Sequence, residues 1–467
     1  MHRIPASSHL PKKKKASPKK TSFNTLDLLR QYESRNVTYI DPDGSWPVVW
    51  KKARGVNVWD EEGKKYLDLT AAFGVAAAGH ANPHVVKSGQ RQMETLLHAM
   101  GDVHPHALKA QLAGELSRIT FERWTSSSGH ETNKPLTGKT IFCNSGFEAV
   151  EAALKTALLA TGKPGVIAFE KAYHGLGYGT LNATHREYFR GPFASQIGHF
   201  GHFVPFPQNE SDLKHTETVI RRVVQKQRIG AILLEPVQGR GGINIPPSEF
   251  LPKMREICDE CDLLLVVDEI YTGFGRTGRW FACEHSRTIP DIICLGKALT
   301  GGFPLSACVG RAGLMDRAWP SSNGEALHTS TFLGHPVGCA MALAQIAEIS
   351  DHNLVERSAR LGQQLLNLLQ NLEPAFPGHL EARGLGLMAG LEIRMPNGLP
   401  ATSLTMKIIK GLLRHGYLLL PEGDHGNIIS FTPPLTISLA QLRACVQCLG
   451  RLLAVKTRKS KPPTRTH

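Results

Sequence analysis

Residues 263–278 read Leu-Leu-Leu-Val-Val-Asp-Glu-Ile-Tyr-Thr-Gly-Phe-Gly-Arg-Thr-Gly, an apolar run that ends in two acids and a glycine-rich loop. A run without polar alternation is a strand buried on both faces, as in a parallel sheet covered by helices. An acid at the carboxyl end of such a strand stands where open α/β sheets bind their ligands. Asp268 loses hydration there and needs a cation or several donors around it. Working outward, 141–143, 166–169 and 231–234 are further strand-like runs, with helical patterns over 146–160 and 248–261. Alternating strands and helices make this an α/β domain with a mostly parallel sheet.

Toward the amino end, 56–60 and 65–69 alternate around Glu61-Glu62-Gly63, a strand–turn–strand pattern, and a helix is expected from 83 to about 100. Beyond Asp351 the texture changes. A helix over 354–372, a glycine-rich strand over 384–393, a helix over 403–413, two short strands and a helix over 439–453 predict a smaller α+β unit. The polar stretch 125–134 reads as a surface loop.

The chain has 467 residues, 41% apolar and 20% charged, which is ordinary globular composition. That excludes a disulfide miniprotein, a collagen-like repeat and a mostly disordered chain. No stretch approaches the roughly 20 apolar residues of a membrane helix, and residues 1–23 lack the apolar core of a secretory signal. Nine cysteines without such a signal read as reduced thiols, so a cytoplasmic location is expected. The net charge of +14 is concentrated at the ends. Arg3, Lys12 to Lys15, Lys19 and Lys20 stand in the first 23 residues without an acid, and Lys456, Arg458, Lys459, Lys461 and Arg465 crowd the last twelve. Both ends read as solvated basic tails, with an anionic-surface or targeting arm as the alternative. The remainder carries almost no net charge, so neither a membrane nor a nucleic acid is expected as partner.

Four clusters could do chemistry. Asn144-Ser145-Gly146-Phe147-Glu148 joins a strand to a helix, where free N–H groups and the helix dipole make an anion site. Asp268 is the second. The third is Gly296-Lys297, directly after the buried strand at 292–295; residue 291 is Asp, so this is no Walker loop. A desolvated lysine is the nucleophile that forms Schiff bases. The fourth is Tyr173-His174-Gly175, an aromatic beyond a strand end that can lie over a planar ring. A phosphate cradle, a buried acid, a Schiff-base lysine and a stacking aromatic together suit pyridoxal 5'-phosphate. The Cys258/Cys261 and Cys445/Cys448 pairs fall in helical patterns and read as small core residues, so no metal is assigned.

Over 35–453 the chain resembles the class III pyridoxal-phosphate aminotransferases, of the ornithine, acetylornithine and 4-aminobutyrate aminotransferase kind. The resemblance rests on Ser145-Gly146-Phe147-Glu148-Ala149, Tyr173-His174-Gly175, Glu235-Pro236-Val237-Gln238-Gly239, Asp268-Glu269-Ile270 with its glycine-rich loop, Gly296-Lys297-Ala298-Leu299, and Ser330-Thr331-Phe332. It implies the fold-type I transferase fold and a homodimer with shared active sites. The expected layout is a segment 24–75 packing with the small domain, a large domain over 76–345, a small one over 346–454, and tails at 1–23 and 455–467. Lys297 would carry the cofactor as an aldimine and shuttle the proton between Cα and C4′, while Asp268 pairs with the pyridine nitrogen. Ser145, Gly146 and Phe147 would hold the phosphate, joined by Thr331 of the neighbouring subunit. Tyr173 and Ile270 would sandwich the ring, with His174 and Glu235 beside it. Tyr271 falls where many relatives have Gln near the ring hydroxyl. The implied reaction moves an amino group from an amine or amino-acid donor, ω-amino donors among them, to a 2-oxo acid in two half-reactions. Aminomutases, racemases, decarboxylases and phospho-lyases use the same fold and clusters.

The pattern breaks at the substrate end. Arginines clamp carboxylates in this family, one after the Tyr-His-Gly motif and one before Phe-x-Pro-Pro-Leu; here these places hold Leu176 and Ser430. Glu235 thereby loses a usual partner and is expected to face Arg240 or a cationic substrate group. Arg240 is the nearest replacement anchor. Small residues at Ala71, Ala72 and Gly74 hint at room for a bulky donor.

Overall fold

The computed structural model describes residues 24–42, 44–126, 136–376 and 378–458. The basic runs at 1–23 and 459–467, and most of the polar stretch at 125–134, lie outside them. Residues up to Val49 form one unit, whose helix Thr25–Tyr32 is capped by the Asn24 side chain accepting from the Leu26 N–H at 3.1 Å.

The unit from Trp50 onward holds three sheets. Strands β1 (Trp50–Arg54), β2 (Asn57–Asp60) and β3 (Lys65–Asp68) form an antiparallel meander. The central sheet has seven strands: β4 (Gly138–Cys143), β5 (Gly165–Phe169), β6 (Gly201–Val204), β7 (Ile229–Leu234), β8 (Leu264–Asp268), β9 (Ile292–Leu295) and β10 (Ser306–Arg311). Their order is β4-β10-β9-β8-β7-β5-β6, and β10 alone runs against its neighbours. The expected α/β fold with a mostly parallel sheet is therefore the observed one. Helix Gly146–Thr161 lies on this sheet through Ala149, Ala152, Ala153 and Ala157, small residues that bring its backbone close to the strands.

At the carboxyl end come β11 (Leu380–Leu385), β12 (Met388–Ile393), β13 (Tyr417–Leu418), β14 (Leu420–Glu422) and β15 (Ile428–Phe431). Four of them form an antiparallel sheet in the order β11-β12-β15-β14, and β13 instead joins β3 in parallel. The single strand expected over 384–393 is really two strands of a hairpin. Gly386 turns the chain at φ 57°, a left-handed conformation that glycine adopts freely, so the apolar run folds back on itself. The helix expected over 83–100 ends sooner, at Thr95, where Leu96 is extended. Among the described residues no helix is long and apolar enough to cross a membrane. Both Cys-x-x-Cys pairs lie in helices, Phe250–Cys261 and Leu439–Arg458.

The Gly386 turn docks against helix Leu354–Gln370 at Gly362, where an added Cβ would stand 2.0 Å from the Gly386 carbonyl oxygen. Gly114, also helical, has nothing within 4 Å of such a Cβ. Ala at position 114 should stabilise the protein by about 0.5–1 kcal/mol through helix propensity. Gly362→Ala should instead cost about 1–3 kcal/mol by overpacking against backbone, so thermal unfolding should show opposite shifts in Tm.

Candidate active site

Parallel strands deliver their carboxyl ends to one edge of the sheet, and that edge collects the candidate residues. Beyond β4 come Ser145, Gly146 and Phe147; beyond β5, Tyr173 and His174; beyond β7, Glu235. Strand β8 ends in Asp268 and leads to Ile270 and Tyr271, and β9 leads to Lys297. Ser145 stands at the N-cap position of helix Gly146–Thr161. The Glu148 carboxylate accepts from the Asn144 and Ser145 N–H groups at 2.7 and 2.9 Å, and the Ser145 carbonyl accepts the Ser306 hydroxyl at 2.6 Å, fixing the strand-to-helix turn.

At the centre, one Asp268 oxygen meets His174 Nδ1 at 2.8 Å and the other accepts the Ile270 N–H at 3.0 Å. The imidazole is in turn held by its backbone N–H, which donates to Thr184 Oγ1 at 3.0 Å. Ile270 fills the gap between two glycines: a Cβ on Gly146 would come within 3.1 Å of it, and one on Gly296 within 3.3 Å. The Tyr271 ring is gripped in the same way. Cβ atoms on Gly74 and Gly239 would fall 2.6 and 2.4 Å from it, and its hydroxyl meets Thr432 Oγ1 at 3.1 Å. The smallness of Gly74 therefore accommodates the Tyr271 ring. Lys297 Nζ lies 4.4 Å from the centre of that ring. Its backbone takes a φ of 37°, a strained value for a lysine, and burial pushes its ammonium below the ordinary range.

A second layer of charge surrounds this centre. Glu235 accepts the Tyr173 and Gly239 N–H groups, both at 3.0 Å, one on each oxygen. It thus holds backbone, and the Arg240 partner expected for it is found elsewhere. The Arg240 guanidinium lies 4.8 Å from the Tyr173 ring centre and 5.7 Å from that of Phe189, with Nε 3.8 Å from Glu422 Oε2. Burial pushes the Glu235 and Glu422 carboxyls up to about 7 and the Tyr271 hydroxyl up to about 12. Of the two places lacking clamp arginines, Ser430 is buried on β15 and Leu176 is half-exposed. Thr331 stands exposed ahead of helix Pro336–Asp351. Phe147 packs along Gly175 and Gly177. Glu422, Thr184 and Thr432 escaped the sequence reading: Glu422 and Thr184 are isolated residues in stretches without a motif, and Thr432 is the variable position of Phe-x-Pro-Pro-Leu.

Two buried atoms here, Ser145 Oγ and His174 Nε2, have no hydrogen-bond partner among the described residues. Buried polar groups are ordinarily satisfied, so these await a ligand. A hydroxyl at a helix N-terminus suits a phosphate, and a carboxylate–imidazole pair beside a desolvated lysine suits a pyridine aldehyde. The residues fit pyridoxal phosphate.

Glu235 and Glu422 bind their protons more tightly in the folded chain than at the ordinary carboxyl value of 4.5. Their effect on stability is therefore fully present below pH 4.5 and is lost as pH rises through about 7, on the order of 3 kcal/mol for each group. Replacing Glu235 by Gln should flatten the fall of Tm between pH 5 and 8. An unchanged slope would assign the fall to other groups.

Residues 39–453 match the model of the family described as aminotransferase class-III. The chain is 38% identical to the acetylornithine aminotransferase of Methanosarcina mazei over 87% of its length and 92% of that protein's. It is 34% identical to a 5-aminovalerate aminotransferase of Pseudomonas aeruginosa over 85% and 91%. Its fold superimposes with a TM-score of 0.82 on a pyridoxal phosphate-bound amine transaminase from an uncultivated Pseudomonas species, at 27% identity, covering 91% of this chain and 98% of that one. The chain belongs to the class III aminotransferases, pyridoxal phosphate enzymes that move an amino group from an amine or amino-acid donor to a 2-oxo acid.

Proposed function

We propose that this enzyme takes the amino group from donors with a terminal primary amine and passes it to a 2-oxo acid whose carboxylate is anchored by Arg240. The observation that carries this is the state of Arg240. Its guanidinium is stacked on Tyr173 at the rim of the site, and its buried Nε has no hydrogen-bond partner among the described residues. With Leu176 and Ser430 in the two usual clamp places, Arg240 supplies the planar fork that a carboxylate requires. Acetylornithine and 5-aminovalerate, named in two of the relatives, both present a primary amine at the end of a carbon chain.

The bound cofactor supplies an aldehyde carbon and a ring that accepts the electron pair left when a proton leaves the donor carbon. Ser145, Gly146 and Phe147 hold its phosphate with the hydroxyl and N–H groups of a helix start. Asp268, oriented by His174, holds the proton on its ring nitrogen. Tyr173, Ile270 and Tyr271 would hold the ring. Lys297 takes the proton from the amine-bearing carbon of the donor, and the low basicity that burial confers on it leaves the amine free to do so. Glu235 holds the Tyr173 and Gly239 backbone and so sets the position of Arg240 in the adjoining residue.

The enzyme is further proposed to work in the cytoplasm as a homodimer, with Thr331 completing the phosphate site of the other subunit. Exposed Phe73, Leu97, Met100, Leu327 and Phe332 support this, since large apolar side chains on the surface suit burial against a second copy. The domain division at about residues 76 and 346 belongs to the same proposal.

The visible spectrum of cofactor-loaded protein tests the donor half. A near-visible band should vanish in Lys297→Ala and be bleached by terminal amines added without an acceptor; a band that no amine bleaches would overturn the donor class. Arg240→Ala should raise the acceptor KM at least tenfold, about 1.4 kcal/mol of lost binding, while leaving the single-turnover donor rate within a factor of two. An unchanged acceptor KM would remove Arg240 as the anchor.

A further inference from the structure

Glu422 closes β14 with only 7% of its surface exposed, in a stretch that carries no motif. Its carboxylate lies 3.8 Å from Arg240 Nε, too far for a hydrogen bond, so the two are held by charge alone. The backbones are tied more firmly: the Gly423 N–H donates to the Arg240 carbonyl at 3.1 Å. Cation–π contact with the Tyr173 and Phe189 rings, at 4.8 and 5.7 Å from their centres, holds the guanidinium beside them. Arg240 is therefore a positioned cation whose partner is loosely engaged, and an incoming carboxylate can take that partner's place without a change of backbone.

We propose that Glu422 sets the charge selectivity of the substrate site, competing with acid substrates for Arg240 and serving as counter-ion for cationic donors when Arg240 is engaged elsewhere. The proposal rests on reading Arg240 as the acceptor anchor. An aminotransferase passes two substrates through one site in turn, so a site that also takes diamines must receive both an acid and a cation at its far end. An Arg–Glu pair of this kind meets that demand through exchange of partners.

The charges that act on Glu422 are Arg240, Arg186 and Lys297, which favour its anion, and Glu235, which opposes it. Arg186 is already engaged with the Gly423 carbonyl at 2.7 Å and with Asp424 at 3.1 Å. Tyr173 and Tyr271 also stand within its field. Behind β14, helix Thr402–Arg414 packs with its cations Lys407, Lys410 and Arg414, and β15 places Ile428 opposite Glu422. Burial pushes the carboxyl up to about 7 even beside Arg240. When a ligand carboxylate takes the guanidinium, Glu422 loses its main counter-charge and gains an anionic neighbour. A proton must then be taken up wherever Glu422 was ionised beforehand.

Calorimetry on the holoenzyme tests this, with glutarate as a dicarboxylate that cannot be aminated and 1,5-diaminopentane as the cationic donor. Measured in buffers of different ionisation enthalpy, glutarate binding should take up protons at pH 8 but hardly any at pH 5.5, and its affinity should fall as pH rises through about 7. In Glu422→Gln the uptake should disappear. Glutarate should bind roughly five- to tenfold tighter at pH 8, and the KM for the diamine should rise by a similar factor. Glu422→Asp, which keeps the charge, should retain proton uptake. The proposal is overturned if Glu422→Gln leaves the pH dependence intact, which would assign it to Glu235, or if both ligands shift in the same direction. A weakened glutarate affinity in Arg240→Ala beside an unaltered one in Glu422→Gln would sink the role of Glu422 alone. No effect of Arg240→Ala on glutarate would sink the anchor reading beneath it.

Discussion

Taking charge out of water is the constraint on which the rest of this structure depends. Lys297, Asp268, Glu235, Glu422 and Tyr271 are gathered at the carboxyl edge of one parallel sheet, where burial raises the two glutamates and the tyrosine and lowers the lysine. An isolated buried charge is costly, so each must meet a partner. Asp268 meets His174, Glu235 meets two backbone N–H groups, and Glu422 meets Arg240. Desolvation makes the lysine a weaker base and a better nucleophile, and the surrounding pairs keep the edge from flying apart.

Rigidity around the lysine comes from glycine used as a mould. Gly74 and Gly239 close on Tyr271 at separations a Cβ could not tolerate, and Gly146 and Gly296 close on Ile270 nearly as tightly. The reacting face is thereby built from backbone pressed against two side chains, which leaves those side chains little rotamer freedom. Arg276 supports the arrangement from behind. It is buried, donates through Nη1 to the Leu387 and Pro433 carbonyls, and is pushed down to about 10 by that burial. One guanidinium thus joins the loop after β8 to the β11–β12 turn and to the end of β15.

The substrate end follows a different logic. Its two familiar arginine places hold an apolar residue and a small hydroxyl, and the positive charge nearby is that of a loop arginine beside two aromatic rings. If that arginine anchors the acceptor as proposed, its long contact with Glu422 leaves the guanidinium open to exchange. That suits a site through which unlike substrates must pass in turn.

Much of this was legible in the residues alone. Uninterrupted apolar runs such as 263–267 determine buried parallel strands because no other element hides both faces, and the short polar ends of those runs name the chemistry. Where a motif spans neighbouring residues, as at 144–148 or 296–299, local sequence carries the local geometry. The hairpin at 380–393 escaped because a glycine in an apolar run marks a turn only when something packs against it, here Gly362 and the Thr277–Gly278 backbone. Glu422 and Thr432 escaped for a related reason: each meets the site from more than a hundred residues away in sequence. Whether Glu235 would face an arginine or backbone N–H groups was likewise undetermined, since an acid takes whichever donors the fold brings within 3 Å. The sequence by itself determined the sheet and the strand-end turns that carry Lys297, Asp268 and Ser145, because these depend on contiguous residues. The tertiary structure alone decided which charges meet around the substrate, because that depends on distances between segments that local patterns do not encode.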